Sequence, residues 1–70
     1  MNKFEHIGEE EAHLKYLDGD YTIIKPGTFV LCAVTGAKIS LDELKYWSVE
    51  RQEAYVDVTA SLKAEIASKS

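Results

Sequence analysis

Seventy residues, 46% apolar and 29% charged with a single cysteine, leave room for one small domain and exclude an internal disulfide framework. No stretch approaches the roughly 20 apolar residues that cross a bilayer, and Met1 to His6 lack the apolar core of a secretion signal, so the expected compartment is the cytoplasm. Residues 1–20 carry six acids (Glu5, Glu9, Glu10, Glu11, Asp18, Asp20) against Lys3 and Lys15, which is the whole net charge of -4, and no basic cluster exists to release counterions from nucleic acid.

In chain order, residues 1–11 read as an acidic, mobile lead-in to a single domain over 12–70. Asp18-Gly19, between Ala12–Leu17 and Tyr21–Ile24, predicts a hairpin. Lys25-Pro26-Gly27-Thr28 predicts a second reversal, with Gly27 taking the positive φ of a type II turn. Phe29-Val30-Leu31-Cys32-Ala33-Val34 is continuously apolar and predicts a central strand covered on both faces. Thr35-Gly36 then turns the chain into a short returning strand, Ala37-Lys38-Ile39.

Ser40-Leu41-Asp42-Glu43 fits a capping box, with the Ser40 hydroxyl accepting from the Glu43 amide. Beyond it, residues 41–56 admit two readings, a helix through Leu41, Leu44, Ser48, Arg51 and Tyr55 or a short turn and then a hairpin. We favour the hairpin, pairing Lys45–Val49 with Gln52–Val56 around Glu50-Arg51, although that turn has no glycine or asparagine. Asp57 is a good N-cap, and Val58, Leu62 and Ile66 recur every fourth residue, which predicts a helix to about Ala67 whose apolar stripe docks on the sheet. The fold class expected is α+β: a small antiparallel sheet of hairpins with one C-terminal helix packed on it.

The run Gly27-Thr28-Phe29-Val30-Leu31-Cys32-Ala33-Val34-Thr35-Gly36, with Tyr46-Trp47-Ser48-Val49 and Arg51-Gln52-Glu53-Ala54-Tyr55, resembles a bacterial family, the domain of unknown function numbered 2093. The similarity covers residues 12–62. It implies a small protein of a kind found mainly in alphaproteobacteria, with no assigned activity, cofactor or partner. A weaker similarity likens Cys32-Ala33-Val34-Thr35-Gly36 to the knuckle of a treble-clef zinc finger that has lost its ligands. Thr35 stands where the second cysteine would be, and Asp57 to Ser61 supply no thiolate or imidazole. No metal or other cofactor is therefore expected.

Among residues able to do chemistry, Cys32 lies in an apolar run, where burial raises a thiol pKa and removes reactivity. His13 and His6 have no rigid scaffold for a metal, and Glu50, Glu53 and Asp57 have no evident cleft to separate their pKa values. Catalysis is not expected. Tyr46, Trp47, Arg51 and Tyr55 form the candidate binding group, because tyrosine, tryptophan and arginine dominate interface hot spots. Against that, a domain this small seldom spares its only tryptophan from packing. The expected role is a cytoplasmic protein-interaction or adaptor domain, and the alternative is a small-molecule- or metal-responsive domain using Cys32. The sequence leaves partner identity and oligomeric state open.

Overall fold

A computed structural model of the chain describes residues 10–69. Residues 1–9 of the expected lead-in, His6 among them, lie outside the described residues. Three antiparallel strand pairs precede one helix, so the α+β class holds: β1 (His13–Leu17) with β2 (Asp20–Lys25), β3 (Phe29–Leu31) with β4 (Lys38–Ser40), and β5 (Tyr46–Ser48) with β6 (Glu53–Tyr55), then α1 (Val58–Lys69). Each pair is its own two-stranded ladder rather than part of one sheet. Isolated bridges join them, with Glu11 beside Phe29 and Cys32 beside Ala54. No helix is long and apolar enough to cross a membrane among the described residues.

The hairpin at Asp18-Gly19 forms as expected, and Gly19 takes a φ of 78° that costs a glycine nothing. Gly27 serves a different purpose from the one expected. Its φ is not positive; instead the backbone of Glu10, Glu11 and Ala12 passes so close that any Cβ would collide with it. That approach lets the Thr28 amide donate to the Glu10 carbonyl at 2.8 Å and the Ala12 amide to Phe29 at 2.7 Å. The pairing therefore reaches back to Glu10.

The apolar run from Phe29 is shorter as a strand, and less covered, than its composition suggests. Val30 and Cys32 point into the core, while Leu31 and Val34 are exposed and Ala33–Thr35 form a turn. Alternation, not continuous burial, governs the run because no layer among the described residues covers its outer face.

Residues 41–56 resolve as the hairpin. Leu41–Glu43 make a single 3-10 turn in which the Ser40 hydroxyl accepts from the Asp42 amide at 3.3 Å, not from Glu43, and Leu44 is already extended. The turn between β5 and β6 is solved by Gln52, which adopts a left-handed φ of 54° without being glycine. At α1 the Asp57 carboxylate accepts from the Ala60 amide at 2.8 Å, the expected N-cap. The face that docks is not the expected one. Ala60 is 2% exposed and Ala64 packs on the core, whereas Val58, Leu62 and Ile66 are 53%, 58% and 67% exposed.

Candidate functional site

β5, the turn after it and the start of α1 meet the β1–β2 turn around Trp47. The indole N–H donates to the Leu17 carbonyl at 2.9 Å, and the ring lies between Tyr16, stacked at 5.9 Å, and Tyr21, edge-on at 5.8 Å. These contacts bind one face and the polar edge of the only tryptophan, which remains half-buried. Next to it, the Gln52 side chain acts as a strand in miniature. Its carbonyl accepts from the Tyr16 amide at 2.9 Å while its Nε2 donates to the Tyr16 and Val49 carbonyls at 2.9 and 2.7 Å. The left-handed backbone at Gln52 aims the amide group at β1, so the strain purchases two bonds to a neighbouring hairpin.

Two shallow grooves flank Trp47. One, of about 440 Å³, runs between the β1–β2 turn and α1 and is lined by Leu17, Lys45, Tyr46, Trp47, Val49 and Ser61. Leu17, Tyr46 and Val49 give it exposed apolar surface. The other, of about 260 Å³, shares Trp47, Val49 and Ser61 with the first and continues to Arg51, Tyr55 and Glu65.

The four residues singled out in the sequence therefore border one region but divide in role. Tyr46 is exposed at the rim, and Trp47 forms the wall common to both grooves. Tyr55 is 1% exposed, so its ring belongs to the core and only its hydroxyl meets the site. That hydroxyl accepts from Arg51 Nε and Nη2 at 3.2 and 3.0 Å and donates to Glu53 Oε1 at 2.8 Å. Arg51 also donates through Nη1 to Ser68 Oγ at 3.1 Å and stands 3.6 Å from Glu65 and 3.7 Å from Glu53. It thus ties the β5–β6 turn to the last turn of α1. Burial pushes the Tyr55 phenol above its ordinary value, with Glu53 adding to the shift and the Arg51 bonds opposing it. The bonds Arg51 donates to the Tyr55 hydroxyl, supported by Glu65, push the guanidinium pKa above its ordinary value.

Cys32 occupies a separate place. It is 3% exposed and belongs to the core, as an apolar run predicts. Its ionisation departs from expectation: burial raises the thiol pKa, but the side chain and amide of Thr35 and the amides of Val56 and Val34 outweigh it and lower the pKa. The Thr35 amide lies 3.4 Å from Sγ, and the Gly36 amide closes the turn onto the Cys32 carbonyl at 2.9 Å. Thr35 Oγ1 accepts from the Ala37 amide at 3.2 Å. His13 lies elsewhere, on β1 beside a third hollow of about 370 Å³ shared with Glu11, Ile24 and Glu53, and Cys32 does not line it. No three metal-binding side chains gather among the described residues.

Sequence reasoning missed Gln52. The signal was present: a four-residue connection without glycine or asparagine obliges some other residue to adopt positive φ, and a side chain held in that conformation usually has a purpose.

Among known families, the model of one described as an uncharacterized protein conserved in bacteria (DUF2093) matches residues 23–64, from the middle of β2 into α1. No curated protein and no solved structure matches the chain.

Proposed function

The chain belongs to the bacterial family DUF2093, and on the grooves around Trp47 we propose that it is a cytoplasmic, non-catalytic protein-interaction domain. The observation that carries this reading is the groove between the β1–β2 turn and α1: exposed Leu17, Tyr46 and Val49 surround a tryptophan already fixed by Tyr16, Tyr21 and Leu17. A rigid aromatic wall with an apolar rim loses little entropy when a partner covers it, which suits a hot spot. Lys45 and Asp18, of opposite charge, add polar anchors along the same groove. The neighbouring charges support a non-catalytic role, since Arg51 pairs with Glu53 and Glu65 and donates to the Tyr55 hydroxyl, which in turn donates to Glu53.

The test is site-specific photo-crosslinking in native cells, with the reactive residue placed at Tyr46, at Val49 or at the control position Lys63. One adduct shared by the first two and missing from the third is the expected result. Equal labelling from all three positions, or none from the groove, refutes the reading.

The donors around Cys32 support a second reading, a small-molecule- or metal-responsive domain in which the amides and hydroxyl of the turn lower the pKa of the thiol. A thiol-reagent time course with and without urea separates the two. Labelling of the native protein as fast as that of the unfolded chain favours Cys32, and strong protection favours the groove.

A further inference from the structure

The two grooves beside Trp47 are halves of one trough. Asp18, Trp47, Val49 and Ser61 line both, so the part of the indole that its neighbours leave open borders each of them. The halves differ in character. The first is rimmed by exposed Leu17, Tyr46 and Val49 and carries a single cation, Lys45. The second sets three carboxylates, Asp18, Glu50 and Glu65, against one cation, Arg51. That cation is already engaged, since Arg51 stands 3.6 Å from Glu65 and 3.7 Å from Glu53 and donates to Tyr55 and Ser68. The carboxylates of Asp18 and Glu50 are exposed and have neither a hydrogen bond nor an ion pair among the described residues.

That charge pattern identifies the occupant. An aromatic ring attracts a cation through its quadrupole, and two unpaired carboxylates beside the ring accept hydrogen bonds from the same cation. The net charge of -4 adds to the attraction at longer range. Arginine suits the place better than lysine, because its planar guanidinium stacks on an aromatic face while its fork of donors reaches a carboxylate. Lys45 fixes the order along the trough. It repels a basic residue from the first half, where the apolar rim takes an aliphatic or aromatic side chain instead. Because the halves share a wall, two side chains on one face of an extended chain, about 7 Å apart, enter them together.

We propose that the Trp47 trough takes an extended segment of a partner protein in which an arginine stands two residues from a large apolar side chain. The arginine lies between Asp18 and Glu50, and the apolar side chain lies against Leu17, Tyr46 and Val49. This rests on the reading of the grooves as a protein-binding site and adds what the partner must carry.

The probe is a phage-displayed library of random heptapeptides, panned on the full chain at low salt. Selected peptides that lack tryptophan are then titrated into the protein, and the emission of Trp47, the only tryptophan of the chain, reports occupancy of the trough. The expected selection is enriched in arginine two positions from a leucine, phenylalanine or similar residue. The substitution Asp18→Asn keeps the asparagine-glycine preference of the turn, and together with Glu50→Gln it should weaken the best peptide about tenfold, each change alone giving about threefold. Added salt should weaken binding in the natural chain and much less in the double variant. Circular dichroism shows whether each variant keeps the fold. Peptides that alter Trp47 emission without a basic residue, or that bind the double variant as tightly as the natural chain, overturn the inference and leave the groove itself a binding site. A library that yields no peptide acting on Trp47 also overturns it, and the photo-crosslinking result then decides whether the groove reading falls as well.

Discussion

The two faces of α1 reverse the usual relation between side-chain size and burial. The inward face presents Ala60 and Ala64 to the core that contains Tyr55 and Ala54, and the outward face carries Val58, Leu62 and Ile66. Helical periodicity alone cannot distinguish these faces, because both repeat every fourth residue. What decides is the connection. Only Val56 and Asp57 separate β6 from α1, and the Asp57 carboxylate caps the Ala60 amide, so the first turn can lie against the hairpin in one rotation only. At that short range a methyl group fits and a leucine does not. Contact with the sheet is thus achieved by small residues, and the large ones remain at the surface.

The comparison is most severely tested from the sheet side. Tyr55→Ala removes the most deeply buried ring and should cost about 3 to 5 kcal/mol, a large part of the stability of a domain this size, measured by urea melts. Tyr55→Phe keeps the ring and deletes only its bonds to Arg51 and Glu53, so it should cost about 1 kcal/mol. If the two variants are equally damaging, the hydroxyl network and not the ring holds α1 in place.

Filling the inner face comes next. Ala60→Leu should destabilise by about 1 to 3 kcal/mol through overpacking, and a neutral result would show that the helix stands off the hairpin. Gln52→Ala removes the clamp on Tyr16 and should cost about 1 to 2 kcal/mol. Its signature is local: hydrogen exchange at the Tyr16 amide should quicken while that of α1 is unchanged.

A weaker effect is expected at alkaline pH. Burial raises the phenols of Tyr16 and Tyr55, with Glu11 and Glu53 adding to it, so their contribution is complete below the ordinary value of 10.0. It is lost as pH rises above 10.0 and through the raised folded values. Stability should fall there, and less steeply in Tyr55→Phe. Stability that stays unchanged across that range would mean that the two phenols ionise as freely in the folded chain as in the unfolded one. The smallest effect belongs to the outer face: Leu62→Ala should change stability by less than about 0.5 kcal/mol in the same urea melts. A loss of about 2 to 5 kcal/mol would instead show that the aliphatic stripe is buried in solution.

What could be read from the amino-acid order alone is what a few neighbouring residues decide among themselves. Asp18-Gly19 reverses the chain because glycine accepts positive φ, Asp57 starts a helix because its carboxylate reaches the amide three residues on, and Thr35-Gly36 ends the apolar run. The aromatic group was found by residue type, and the structure gathers Tyr46, Trp47, Arg51 and Tyr55 around adjoining grooves. Their division into rim, wall, tie and core was not legible, since it depends on Leu17, Tyr16, Glu65 and Ser68, each at least 10 residues distant from its partner. Tertiary structure also decided that Gln52 bonds to β1, that Gly27 yields to the chain at Glu10–Ala12, and which face of α1 is buried. The physical reason is common to all three. Each is a choice between local conformations of similar energy, and only the close packing of segments remote in sequence makes one of them cheaper.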